Sequence, residues 1–241
     1  MTKTPLILVP GLMCNRVVWE PLLPWLGTER VCTVADHGDS DSLTDMAQRL
    51  LDEAPQHVVL AGHSMGARVV LEALRLAPRR IRGVALLDTG YLPRPFGDAG
   101  MEEERKRMAL LQVARAQGVR AMAHAWVQGM VHPSRLADAE LIERILAMFE
   151  EKTADIFAHQ IHALLSRRDG TDVLQSIGVP TLVLCGRQDS WSPVPQHEAM
   201  QTLTAGATLA VIEDAGHMAP MEQPQAVAQA MLQWLADCER D

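Results

Sequence analysis

The chain has 241 residues, of which 48% are hydrophobic and 22% charged, the balance of a globular protein that buries a core without disulfide or metal support. Disordered, collagenous and low-complexity chains are excluded on composition alone. Lys and Arg number 22 against 30 Asp and Glu, a formal charge of −8, which argues against nucleic acid as a partner.

The elements alternate from the start. Residues 5–10 are a continuous apolar run closed by Pro10-Gly11, the pattern of a strand buried on both faces. Residues 15–26 have room for a short helix disturbed by Pro21 and Pro24. Residues 31–35 read as a second strand, and 42–54 as an amphipathic helix opened by Ser42 three residues before Asp45. A strand at 57–61, a helix at 65–77 stopped by Pro78 and a strand at 81–87 follow. This alternation predicts a mostly parallel sheet with helices on both faces and right-handed crossovers.

Between residues 91 and 170 strand signals vanish, and 102–117, 119–130, 138–151 and 153–168 all carry helical patterns. Strands resume at 180–185 and 208–212, with helices at 195–203 and 224–238. A helical block interrupting a sheet is read as a cap inserted within one α/β domain spanning 1–241, more economical than a separate helical domain. The four cysteines, Cys14, Cys32, Cys185 and Cys238, form no CxxC pair and read as free thiols. No run of about 18 apolar residues is present to span a membrane, and the apolar stretch near Met1 is too short for a signal sequence. A cytoplasmic setting is expected, with no membrane partner; the oligomeric state is not legible.

The chemistry concentrates in Gly62-His63-Ser64-Met65-Gly66, a G-x-S-x-G pentapeptide between a strand and a helix. Such a turn holds a serine hydroxyl at the strand's C-terminal end, beside the helix N-terminus, in a strained backbone. A serine needs a base, and the base an orienting carboxylate. His217 in Ala215-Gly216-His217-Met218 and Asp189 in Gly186-Arg187-Gln188-Asp189 each follow a predicted strand, so parallel packing brings both to the sheet edge that carries Ser64. Asp88, which also ends a strand, and Asp214, near His217, are the competing carboxylates.

These residues, in the order Ser64, Asp189, His217, with the Pro10-Gly11 turn and with Glu222 and Pro224 after the histidine, resemble the α/β-hydrolase family, of the serine esterase type with a helical cap, over nearly the whole chain. The resemblance implies a nucleophile at Ser64, an acid at Asp189 and a base at His217. It implies a cap at 91–170 and an oxyanion hole built from the backbone N–H groups of Leu12 and Met65. Many relatives carry His-Gly where this chain has Pro10-Gly11, but a donated amide does not depend on that imidazole.

The expected activity is hydrolysis of small-molecule esters through an acyl-enzyme. The same three residues would serve thioester, lactone, amide or carbon–carbon cleavage, a slow-turnover small-ligand receptor, or a peroxidase-like side reaction with peroxide in place of water. Substrate choice is expected from the cap, with Trp126, Met130 and Phe157 as pocket candidates beside Met108 and Met122, although most cap methionines and aromatics serve packing. His159 and His162 share a helical face without further ligands in reach, so no metal is expected. No dinucleotide or phosphate-loop motif calls for a cofactor. Arg94 and Arg135 are possible carboxylate contacts, though solvated surface is the commoner fate of arginine.

Overall fold

The computed structural model describes residues 3–28 and 30–240. In chain order the elements are β1 (Leu6–Val9), α1 (Leu23–Leu26), β2 (Cys32–Val34), α2 (Leu43–Glu53), β3 (Val58–His63), α3 (Met65–Leu76), β4 (Ile81–Leu87), α4 (Asp98–Gln117), α5 (Val119–Trp126), α6 (Ala139–Glu150), α7 (Ala154–Leu165), α8 (Thr171–Ser176), β5 (Thr181–Gly186), α9 (Val194–Leu203), β6 (Thr208–Ile212), α10 (Ala219–Glu222) and α11 (Pro224–Asp237). The expected strands and longer helices are present. Residues 15–26 differ: they form two 3₁₀ turns and then α1, with Pro21 and Pro24 each in the first turn of its element. There a missing N–H costs nothing, so the prolines segment the stretch instead of kinking one helix. Helix α4 begins at Asp98, earlier than residue 102, behind Gly97 at φ 65°.

The six strands lie in the order β2-β1-β3-β4-β5-β6, and every registered pair is parallel. Strands β1, β3 and β5 are buried along their whole length, while the edge strands β2 and β6 are partly exposed. This is why the inner strands read as unbroken apolar runs. The chain steps from β1 outward to β2, then crosses back over β1 to β3. Right-handed crossovers therefore put α1 on one face and α2, α3 and α9 on the other. The contacts agree: α2, α3, α8 and α9 pack in succession, while α11 packs on α1 and on β4, β5 and β6. Ser42 caps α2 by accepting from the Asp45 N–H at 3.2 Å.

The strand order reverses between β1 and β3, so the loops after those two strands diverge and leave a crevice at their C-terminal ends. Helices α4–α7 rise between β4 and β5. The Gly170 N–H donates to the Tyr91 carbonyl at 2.9 Å, so this segment leaves and rejoins the sheet at one point. No helix among the described residues is long and apolar enough to cross a membrane.

Candidate active site

Gly62 and Gly66 let the β3–α3 turn close. A Cβ on Gly66 would run into the Val9 and Pro10 carbonyl oxygens of the neighbouring strand, and one on Gly62 would press on the Ala67 backbone. The turn holds Ser64 at φ 55°, ψ −117°, a costly conformation for any residue with a Cβ. Four described residues other than glycine have positive φ: Met13, Ser64, Asp88 and Asp214. The first three follow β1, β3 and β4, so backbone strain gathers where the crevice opens.

The three sequence candidates meet there. His217 Nε2 lies 2.8 Å from Ser64 Oγ, and His217 Nδ1 lies 2.8 Å from Asp189 Oδ2. Asp189 is 2% exposed, and its other oxygen accepts from the N–H groups of Trp191 and Ser192 at 2.9 and 3.0 Å. Burial pushes the Asp189 carboxyl up, but the adjoining His217 and the two backbone donors outweigh it and hold the group below its ordinary value.

Asp88 is fully buried and does not reach His217. Its Oδ1 accepts from the Gly186 N–H at 2.9 Å, and Oδ2 has no hydrogen-bond partner among the described residues. Burial, then the Asp189 charge, raise its carboxyl well above the usual range. Among the described residues Asp214 offers only its carbonyl, which accepts from Gln223 Nε2.

Leu12 and Met65 both border the same cavity as Ser64 and His217, and neither backbone N–H donates to an acceptor among the described residues. The next amide, that of Met13, is taken by Gln160 Oε1 of α7 at 2.8 Å. That bond fixes the β1 loop in its strained form and leaves the Leu12 N–H available.

Sequence reasoning assigned no task to Glu222, Gln160 or His197. Glu222 is 3% exposed. Its carboxylate accepts from Gly216 and Met218, on either side of His217, at 2.9 and 3.1 Å, and from His132 at 2.7 Å. His197 Nε2 accepts from the Thr89 N–H at 3.1 Å, beside the Thr89 hydroxyl that donates to the Ser64 carbonyl at 2.9 Å. Burial pulls His197 down to about 4 and His63 down to about 3, so both imidazoles are neutral at pH 7. The available signal was an acid or amide placed in an otherwise apolar helical stretch.

The cavity has a volume of about 760 Å³ and is lined in part by Trp126, Met130 and Phe157. Trp126 stacks on Trp191 at 5.5 Å, and Trp191 lies 4.8 Å from the His217 ring. Met108 is 42% exposed and Met122 fully buried; neither lines the cavity. Arg94 and Arg135 stand outside it too, paired with Glu104 at 2.6 Å and Asp138 at 3.1 Å. Cys14 borders the cavity, but burial raises its thiol to about 12, which keeps it unreactive. His159 and His162 are exposed, and among the described residues no group of three or more His, Cys, Asp or Glu could hold a metal.

Comparison with known proteins places this geometry. The sequence is 26% identical over 238 residues to a pimeloyl-[acyl-carrier protein] methyl ester esterase of Photobacterium profundum, covering 94% of this chain and 92% of that one. It is 28% identical to the dihydrolipoyllysine-residue acetyltransferase component of an acetoin cleaving system from Pseudomonas putida, covering 96% of this chain but only 63% of that relative's length. Among solved structures, a thermophilic esterase from Thermogutta terrifontis, with malate bound, superposes with a TM-score of 0.86 at 28% identity, covering 99% of this chain and 92% of that one. Residues 6–230 match the alpha/beta hydrolase family, and the chain belongs to that family.

Proposed function

We propose that the chain is a serine hydrolase that cleaves small-molecule carboxylic esters through a covalent acyl-enzyme. The observation that carries this reading is the continuous relay from Ser64 Oγ through His217 to Asp189, both links at 2.8 Å. Asp189 Oδ2 accepts the Nδ1–H of His217, which leaves Nε2 free to accept the serine proton. As that proton moves to Nε2, Ser64 Oγ bonds to the ester carbonyl carbon. The oxyanion so formed receives the N–H groups of Leu12 and Met65, the latter at the head of α3 where the helix dipole favours negative charge. His217 returns the proton to the departing alcohol as the carbon–oxygen bond breaks. Water then attacks the acyl carbon with His217 as base, and the acid leaves Ser64.

Segment 91–170 acts as the cap of a single domain. Trp126, Met130 and Phe157 present apolar surface to the bound ester, and the Trp126–Trp191 stack walls His217 from solvent. Curated relatives named as esterases across most of the chain support the ester as the bond cleaved.

A panel of chromogenic esters of varied acyl length, run beside a fluorophosphonate label, tests the reading. Multiple turnover by the wild type, label on Ser64, and loss of both in Ser64→Ala are expected. Label uptake without turnover would point instead to a slow-turnover receptor, and turnover by Ser64→Ala would remove Ser64 from the reaction.

A further inference from the structure

Part of the cavity wall is charged, and its charges are unevenly paired. Glu103 is gripped by Arg167, Nη1 to Oε1 and Nη2 to Oε2 each at 2.7 Å, and by Arg107 at 3.0 Å. Glu102 is held by Arg105 at 2.7 Å and by Lys106 at 3.6 Å. Both acids on this wall are therefore occupied. Arg68, on the first turn of α3, lines the same cavity and makes no ion pair among the described residues. Its one hydrogen bond runs from Nη1 to the Leu92 carbonyl at 3.0 Å, which uses one of five N–H donors. Burial, and then the neighbouring Arg167 charge, pull its guanidinium down to about 9, against the opposing pull of Glu103; it remains a cation at neutral pH, and the acid nearest it is already gripped by Arg167 and Arg107.

The bare Gly90 Cα lets the Gln196 amide and the Arg68 guanidinium close in on the same spot. A Cβ on Gly90 would collide with Gln196 Nε2 and stand 3.1 Å from Arg68 Nη2. Gln196 also lines the cavity, and its side-chain amide has no partner among the described residues. Two sets of unused donors thus flank a bare glycine next to Thr89, whose hydroxyl holds the Ser64 carbonyl. Arg68 is half-buried and has no acid of its own, a poorly compensated position for a cation, and a planar fork of N–H donors matches a carboxylate. An acidic chain gains nothing in solubility from such a group.

The geometry points to Arg68 and Gln196 as the recognition site for a free carboxylate on the ester that Ser64 attacks. The inference rests on the hydrolase reading and narrows it to esters carrying a carboxylate. Arg68 lies on the first turn of α3, just beyond Ser64, and both border one cavity, so the carboxylate is expected on a short spacer from the scissile carbonyl.

The test compares mono-4-nitrophenyl esters of dicarboxylic acids of increasing length with matched esters whose free acid is capped as a methylamide or replaced by a phosphonate. The wild type should favour the carboxylate over the capped ester by about 10- to 100-fold in kcat/KM, the range of a charge-assisted hydrogen bond. Added salt should shrink that preference. Arg68→Gln should bring the ratio towards one, Arg68→Lys should recover part of it, and Gln196→Leu should lower it by about 2- to 10-fold. Thermal melts confirm that the variants are folded, and a merely structural arginine would not move the ratio. A wild-type ratio near one, a ratio unmoved by Arg68→Gln, or preference for the phosphonate would overturn the assignment.

Binding separates this inference from the hydrolase reading. Ser64→Ala should bind glutarate by calorimetry, and adding Arg68→Gln should abolish the binding. No binding, or equal binding in both proteins, counts against the carboxylate site. Arg68-dependent binding with no ester cleaved by the wild type would sustain the site and sink the hydrolase.

Discussion

Glu222→Gln is the most discriminating single change, because it is nearly isosteric and lies outside the Ser64–His217–Asp189 relay. The carboxylate accepts three backbone N–H groups, from Gly216, Met218 and His132. A glutamine keeps one oxygen, which can still accept from Gly216 and Met218. Its NH₂ then faces the His132 N–H, donor against donor. One charge-assisted bond is lost and a buried donor is left unpaired, a cost of about 2–3 kcal/mol. In a chain of this size that lowers the melting temperature by about 4–12 °C. The rate should suffer more than folding. Gly216 and Met218 flank His217, and a shift of about 1 Å in a catalytic group can cost 10²-fold. A fall in kcat of about 10- to 100-fold is expected, measured well below the melting point and normalised to sites titrated with fluorophosphonate. Wild-type kcat together with an unchanged melting temperature would refute the claim that Glu222 holds the histidine loop.

The two buried aspartates should part company. Asp189→Asn should lower kcat by about 10⁴ through loss of the correct imidazole tautomer. Asp88→Asn should cost less than about tenfold, because Asp88 bonds to the Gly186 N–H and not to His217, and asparagine tolerates positive φ; the reverse order would move the acid role to Asp88. Gly66→Ala should destabilise by about 1–3 kcal/mol or prevent folding, since its Cβ meets the Val9 carbonyl; an unchanged denaturation midpoint would contradict that close approach. His197 is held near 4 in the folded state, below an unfolded value of about 6.5. The unfolded chain therefore binds the extra proton between those values, and stability present above about pH 6.5 falls by about 1.4 kcal/mol per unit as pH drops towards 4. His197→Gln should remove that increment from the slope of stability against pH, and an unaltered slope would show that the imidazole is not buried neutral.

The sequence disclosed what local pattern determines. Runs such as Leu6–Val9 and Val58–His63 are apolar at nearly every position because both sheet faces are covered, and the elbow announces itself because only glycine fits beside Val9 and Ala67. The choice between Asp88 and Asp189 was beyond pattern: both end parallel strands, and the decision falls to reach. Asp88 turns its oxygen to Gly186, whereas Asp189 sits three residues beyond β5, where its carboxylate meets His217. Arg68 was hidden for a different reason. Between Ala67 and Val69 it looks like one polar residue in an amphipathic helix, and only the positions of Glu102 and Glu103 reveal that both nearby acids are gripped by other cations. Arg94 and Arg135, in an exposed-looking stretch, were easier to name, and each has its own acid.

The helical segment 91–170 holds the loops around the crevice through contacts of its own. The Met130 carbonyl accepts the His217 N–H at 2.7 Å, His132 donates to Glu222 at 2.7 Å, and Gln160 holds the Met13 amide at 2.8 Å. One segment thus fastens both the loop that carries the imidazole and the loop that presents the Leu12 amide. Those loops depart from β6 and β1, which lie on opposite sides of the Ser64 strand, and no sheet hydrogen bond joins them. If the segment lifted away, His217 and Leu12 would lose these shared supports together. A substitution in α7 as far from the serine in sequence as Gln160 should therefore act on rate as well as on binding.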